Sequence, residues 1–279
     1  MLKILSGLLL LSSLPALAAL PKGSVDLWAT KFTWMAKDKT SSAALRNEIK
    51  KIAANSRAFD PDCFYNQPKD KCTDNADAKT TAELDLLAAV LSKETNGAFN
   101  VNREKDGKTF RDFGGLAQGF IMEKMKPMMK GPWAGNFSGD MYISEKFPQS
   151  IPLIIADHEI TDMRYATVTM SSGWLLGTSA PAYGSKVVDP ATKKLKTDSD
   201  FAKIVLFAKP EFSGARLDAW STALIVGGKD LLKKLWENKD YEGKWAYMYI
   251  DAKNRPTCSR NLQCNLLTKD GVRTVAVPW

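Results

Sequence analysis

One stretch, Arg216-Leu217-Asp218-Ala219-Trp220-Ser221-Thr222-Ala223-Leu224-Ile225-Val226-Gly227-Gly228, limits the folds open to this chain more than any other. An acid, a hydroxyl four residues on and an apolar run closed by two glycines describe a helix that other elements must cover. If Asp218 opens that helix, its carboxylate accepts the free backbone N–H groups of the first turn. Positions i and i+4 share a helix face, so Asp218 and Thr222 project to the same side. Two hard oxygens beside a loop carbonyl suit Mg2+, which takes oxygen ligands and often shares them with a phosphate. The plainer reading is an N-cap followed by a buried stripe of Ala219, Ala223 and Val226. D-x-x-x-T is a common spacing, and taken alone it favours the plainer reading.

The 279 residues are 44% hydrophobic and 25% charged, enough for a core in one large domain or two smaller ones. The net charge of +8 comes from Lys and Arg scattered along the chain, weak support for an anionic ligand and no pattern for nucleic acid. A single histidine, His158, argues against a zinc site or a His-based triad.

Residues 1–19 read as a secretory signal. Lys3 supplies the charge, Leu8 to Leu11 with Leu14 the apolar core, and Ala16-Leu17-Ala18 the small-x-small cleavage pattern. The run is too short to span a membrane, and no later run is long enough. Residues 20–279 are then expected as one soluble periplasmic or secreted domain. The cysteines agree with export: Cys63 and Cys72 bracket one polar loop, Cys258 and Cys264 another. Four cysteines allow three connectivities, of which two local clips are the simplest. The spacings do not match the C-x-x-C knuckles of zinc.

Alternation predicts a single first strand over Val25 to Met35, and Ser41 and Ser42 can cap a helix from Ala43 to Asn55 with Leu45, Ile49 and Ile52 on one face. Phe59 to Ala78 reads as a loop. A second helix starts at Thr80 with the stripe Leu84, Leu87, Ala88 and Leu91, and Asn96-Gly97 ends it. Asn100 to Lys108 is short and polar. Glycines at 114, 115 and 119 precede and enter a helix ending near Met129, which suits a phosphate or a tight turn against a strand. Strands follow at Phe137 to Ile143 after a turn, Ile151 to Ala156, Tyr165 to Met170, Gly184 to Val188, Phe201 to Ala208, Ala246 to Asp251 and Val272 to Val277. The elements mix without strict βαβ alternation, so the class is α+β.

Four segments stand out together: Asp112-Phe-Gly-Gly-Leu-Ala-Gln-Gly-Phe120, Phe137-Ser-Gly-Asp140, Val187-Val-Asp-Pro190 with Thr192, and Leu217-Asp-Ala-Trp-Ser-Thr-Ala-Leu-Ile-Val-Gly227. In this order they resemble the ApbE family of FAD:protein FMN transferases, whose D-L-G-G-I-A-K-G-Y, G-G-D, I-I-D-P-x-T-G and A-D-A-x-x-T-A-L-x-x-x-G motifs they parallel. Trp28-Ala-Thr30, Ser56-Arg-Ala-Phe-Asp60 and Thr95-Asn-Gly-Ala-Phe99 are weaker echoes, so the resemblance spans nearly the whole mature chain.

The resemblance implies mixed sheets with packed helices and a flavin cleft between two subdomain-like halves. It implies FAD as substrate, Mg2+ at the pyrophosphate, and transfer of FMN to a Thr or Ser of a target protein. Carried over, Asp218 and Thr222 are side-chain metal ligands, and Ala117 and Ser221 offer backbone carbonyls. Phe59, Asp112, Gly114, Phe120 and the backbone of Val188 line the FAD. Three departures stand out. Lys186 occupies the place of the family's His, so a base there needs a pKa well below the usual ~10.4. The link from Phe99 to Asp112 is shorter than the family's. Phe59 and Trp28 replace a Tyr and a Met. Two alternatives therefore stand beside the transferase: a non-catalytic flavin- or partner-binding ApbE-like protein, and an FAD pyrophosphatase giving FMN and AMP.

Overall fold

A computed structural model describes residues 8–10, 22–27, 30–36, 43, 45–47, 49–51, 78–105, 108–129, 131–148, 150–156, 164–181, 187–268 and 271–275. The strands are β1 (Leu8–Leu10), β2 (Lys22–Leu27) and β3 (Thr30–Ala36), followed by helical residues within 43–51 and helix α1 (Ala78–Glu94). Then come β4 (Asn102–Lys105), β5 (Lys108–Arg111), α2 (Ala117–Met125), β6 (Trp133–Phe137), β7 (Asp140–Ile143), β8 (Ile151–Ala156), β9 (Arg164–Met170) and β10 (Leu175–Ser179). The chain continues through β11 (Val188–Asp189), β12 (Lys194–Leu195), β13 (Phe201–Ala208), α3 (Gly214–Trp236), β14 (Trp245–Asp251), β15 (Pro256–Cys258), β16 (Cys264–Thr268) and β17 (Gly271–Val275).

An eight-stranded antiparallel sheet, in the order β15-β14-β13-β10-β7-β6-β3-β2, forms the middle of the fold. Side chains alternate across a sheet, so each strand feeds two faces. One face carries Phe32, Trp34, Phe137, Leu175, Ile204 and Leu206 into a core shared with α1, α2 and α3. The other carries Met35, Met141, Leu176, Val205, Phe207 and Met248 against Ile151, Leu153, Val168 and Met170 of a second sheet, ordered β1-β8-β9-β16-β17. The fold is thus mixed α+β: helices, a large sheet and a smaller sheet. β13 is apolar along nearly its whole length because both of its faces are covered.

Several expected elements differ. The first strand is two, β2 and β3, paired antiparallel with Leu27 opposite Thr30; the alternation runs through both, and no Gly, Asn or Asp marks the junction. Asn100 to Lys108, read only as short and polar, enters a hairpin in which β4 and β5 pair from Asn102 opposite Arg111. β10 is a central strand that the pattern did not mark, and in the Gly184 to Val188 run the described strand is only Val188–Asp189. α3 starts four residues before Asp218, with Ser213 as its N-cap accepting the Arg216 N–H at 3.1 Å, and it continues past Gly227 and Gly228 to Trp236. Gly228 bends the helix at φ 62°; a Cβ there would collide with the Asp200 carboxylate, which accepts the Lys229 N–H at 2.9 Å.

Leu84, Ala88 and Leu91 form the buried stripe of α1, and Asn96 and Gly97 end it with positive φ. Leu45 and Ile49 are buried as expected, while Ile52 lies outside the described residues. Leu8–Leu10, inside the segment read as a leader, pair antiparallel with β8. Cys258 and Cys264 form a disulfide; Cys63, Cys72 and the 59–77 stretch lie outside the described residues. Among the described residues no helix is long and apolar enough to cross a membrane.

Candidate functional site

Glycines let α3 approach its neighbours backbone to backbone. A Cβ on Gly177 of β10 would sit 2.7 Å from the Leu217 carbonyl carbon, and one on Gly119 of α2 would overlap the Gly214 carbonyl. Side chains there would hold the elements apart. These contacts bring the N-terminus of α2 and the ends of β7 and β10 around residues 218–222.

Asp218 lies in the second turn of α3 and is 4% exposed. Its Oδ2 accepts the Gly119 N–H at 3.3 Å, and the Gln118 N–H also bonds it. It therefore caps α2, whose own N-cap, Leu116, provides no side-chain bond. The expectation that Asp218 caps its own helix is corrected: free N–H groups and the positive end of a neighbouring helix hold its carboxylate.

Three hydroxyls lie alongside. Ser221 Oγ donates to the Asp218 carbonyl at 2.9 Å and lies 2.7 Å from Ser179 Oγ, which is 3.2 Å from Thr222 Oγ1. A hydroxyl has one proton and two lone pairs. Ser221 uses its proton on Asp218, so Ser179 donates to Ser221 and Thr222 donates to Ser179. Among the described residues that chain leaves the lone pairs of Thr222 Oγ1 unclaimed.

Asp140 completes the cluster and was given no role by the sequence. A tight turn presents it: Ser138 and Gly139 have φ of 54° and 112°, Asn136 Oδ1 accepts the Gly139 N–H at 3.0 Å, and Thr178 Oγ1 donates to the Gly139 carbonyl at 3.2 Å. Asp140 Oδ1 accepts the Thr178 N–H at 2.7 Å. Oδ2 is buried and has no N–H or hydroxyl donor among the described residues. The two carboxyls meet side chain to side chain, and among the described residues no Lys or Arg charge acts on either. Burial, then the Asp218 charge, pushes the Asp140 carboxyl well above the ordinary range. Burial raises Asp218 to about 7, against the Gly119 and Gln118 N–H groups and the bond to Asp140, which pull it down.

The donor set is entirely hard oxygen, built on two buried carboxyls that face each other. That fits a divalent cation of the Mg2+ type. Among the described residues no three His, Cys, Asp or Glu converge on one point, so the set consists of two carboxyls and the neighbouring hydroxyls.

The other expected site residues lie as follows. Ala117 is fully buried and begins α2 beside Gln118, and Ser221 is fully buried inside α3. A Cβ on Gly115 would sit 2.7 Å from Thr222 Oγ1 and 3.1 Å from the Phe99 ring, so the 112–116 loop closes directly over Thr222. Gly114 donates its N–H to Asp112 Oδ1 at 2.9 Å, while Asp112 Oδ2 pairs with Arg103 at 2.5 Å. Phe120 is 1% exposed and packs in the helix-side core. Val188 is half-buried in the β11–β12 hairpin, opposite Leu195; Asp189 Oδ1 accepts the Ala191 N–H at 2.8 Å and so shapes the turn. Phe59 and Lys186 lie outside the described residues, as do Trp28 and His158. A cavity of about 530 Å³ beside the C-terminal part of α3, lined by Glu94, Asp230, Lys233 and Asn238 among others, includes none of these residues.

No protein-family model matches the sequence, and no curated protein matches it. Solved structures do. The apo flavinyl transferase ApbE of Pseudomonas stutzeri aligns at TM-score 0.61 and 16% identity over 87% of this chain and 95% of that one. The ApbE protein of Thermotoga maritima aligns at TM-score 0.61 and 15% identity over 86% and 97%. The flavin transferase ApbE of Vibrio cholerae aligns at TM-score 0.58 and 12% identity over 91% and 96%. At these identities the likeness is one of architecture: the chain has an ApbE-like fold over most of its length.

Proposed function

We propose that this chain is an exported, Mg2+-dependent FAD:protein FMN transferase. The observation that carries the reading is that the Asp218 carboxyl rests on the Gly119 N–H while Thr222 Oγ1 lies against Gly115, both around the start of α2, inside an ApbE-like fold. Asp218 and Thr222 would hold the cation, with the carbonyls of Ala117 and Ser221 beside them. Bound there, it offsets the charge that develops as the pyrophosphate bond breaks. The 112–116 loop, closed over Thr222 at Gly115, would bring backbone against the nucleotide, with Asp112 shaping that loop through Gly114. Phe59, Phe120 and the backbone of Val188 are the remaining FAD positions. The target's Thr or Ser oxygen attacks the FMN phosphorus, the bond to the AMP oxygen breaks, and the hydroxyl proton passes to a base. Lys186 is the candidate base if deprotonated, and otherwise a cation near phosphate.

The test mixes the exported protein with FAD, Mg2+ and an acceptor protein carrying the flavinylation Thr. Flavin fluorescence on the acceptor band, with equimolar AMP, is expected; chelator or Asp218→Ala should remove both. AMP without a labelled acceptor would make it the pyrophosphatase. Saturable FAD binding with neither product would make it a non-catalytic binder, the reading favoured by Lys186 at the family's His position.

A further inference from the structure

We infer that Asp140 is a ligand of the same divalent cation, through Oδ2, and that the site is a two-carboxylate site; this rests on the cation reading above.

Three observations converge on Asp140. Its side chain is fixed, because Oδ1 accepts the Thr178 N–H at 2.7 Å and so sets the carboxyl plane. Its Oδ2 is buried, with no N–H or hydroxyl donor among the described residues. A buried carboxylate oxygen without a partner is costly and needs a reason. The Asp140 carboxyl also meets that of Asp218, whose Oδ2 lies at the start of α2. Two buried carboxyls with no lysine or arginine against them among the described residues repel unless a cation or a proton joins them. Hard divalent ions are commonly held by more than one carboxylate together with hydroxyls and carbonyls.

The backbone is built for this placement. Ser138 is in the left-handed region, at φ 54°, a conformation rare for residues other than glycine. Asn136 and Thr178 bind both sides of the following glycine and fix the turn. Left-handed strain held in place by surrounding bonds is a common way to aim a functional side chain. A purely structural Asp140 would need only the Thr178 bond, which an asparagine side-chain oxygen can also make.

The isosteric change Asp140→Asn therefore separates the two roles. It retains an acceptor for Thr178 and removes one ligand charge. Mn2+, which accepts the same oxygen ligands as Mg2+, serves as probe, read by loss of its free-ion paramagnetic resonance signal in protein without FAD. Wild type should bind, and Asp140→Asn and Asp218→Asn should each weaken binding by about tenfold or more. Asp140→Asn binding as tightly as wild type, while Asp218→Asn does not, would overturn the inference and leave the proposed function standing. No Mn2+ binding by wild type would remove the cation reading itself. Should Asp140→Asn fail to fold, infrared difference spectra of ¹³C-aspartate-labelled wild type on Mg2+ addition decide. Two perturbed carboxylates are expected; a single one overturns the inference.

Discussion

Asp218 and Asp140 hold opposing demands within one small volume. Burial keeps both carboxyls protonated longer than in the unfolded chain, with Asp218 at about 7. A carboxyl whose pKa rises on folding adds stability that is full below the unfolded value and is lost as pH climbs through the folded value. In metal-free protein the melting temperature should therefore fall between pH 5 and pH 8, and Mg2+ should restore it at pH 8. Thermal melts across that range, with and without the ion, check this; a melting temperature that rises to pH 8 without metal would contradict it. Thr222→Val replaces the hydroxyl by a methyl of similar size, so FMN transfer should drop by more than about tenfold while the fold persists; steady-state transfer and circular dichroism measure the two. The Asp218–Thr222 pair was legible because i and i+4 on one helix need no tertiary knowledge. The partners were not. Gly119 lies 99 residues from Asp218 and Ser179 lies 42 from Ser221, and only sheet register and helix crossing join them. Asp140 sat in a recognised motif, but its place opposite Asp218 depends on the β7–β10 pairing.

Among the elements, α3 positions everything. Glu94 at the end of α1 binds it, accepting from Arg216 Nη2 at 2.8 Å and Trp220 Nε1 at 3.1 Å. Beneath it, β10 presents Gly177 and α2 presents Gly119. Gly177→Ala should cost about 1–3 kcal/mol, as an inserted methyl does in a packed core. It should also push α3 off β10 and weaken Mn2+ binding, whereas Gly131→Ala, where no atom lies within 4 Å, should leave Mn2+ binding intact. Urea unfolding and the resonance titration give both numbers. The helical stripes, and strands such as β13 and β14, could be read from periodicity because burial of one or both faces leaves that pattern. β4 and β5 could not: Asn102, Glu104 and Thr109 are exposed, so no apolar alternation records the hairpin. The full length of α3 is hidden in the sequence because Asp218 competes with Ser213 as the apparent cap, and Gly227-Gly228 reads as a stop where it is only a bend.

At the scale of the molecule, the large sheet separates a helix-side core, which carries the site, from a sheet-side core, which does not. The Cys258–Cys264 bridge joins β15 and β16, and so links the two sheets far from Asp218 in the chain. Cys258→Ser with Cys264→Ser should cost about 2 kcal/mol for so short a loop and leave Mg2+ and FAD affinities unchanged, which denaturant titration and binding assays check. The α+β class followed from the order of elements, but the three layers did not, since strand order is set by long-range pairing. The central claim is that Asp218 and Thr222 grip a divalent cation shared with a dinucleotide's phosphates. Its most direct measurement is FAD affinity, by flavin fluorescence, as Mg2+ is titrated into wild type and Thr222→Val. Linked binding requires Mg2+ to tighten FAD in wild type, and far less in the variant; equal FAD affinity with and without Mg2+ in wild type would contradict the account.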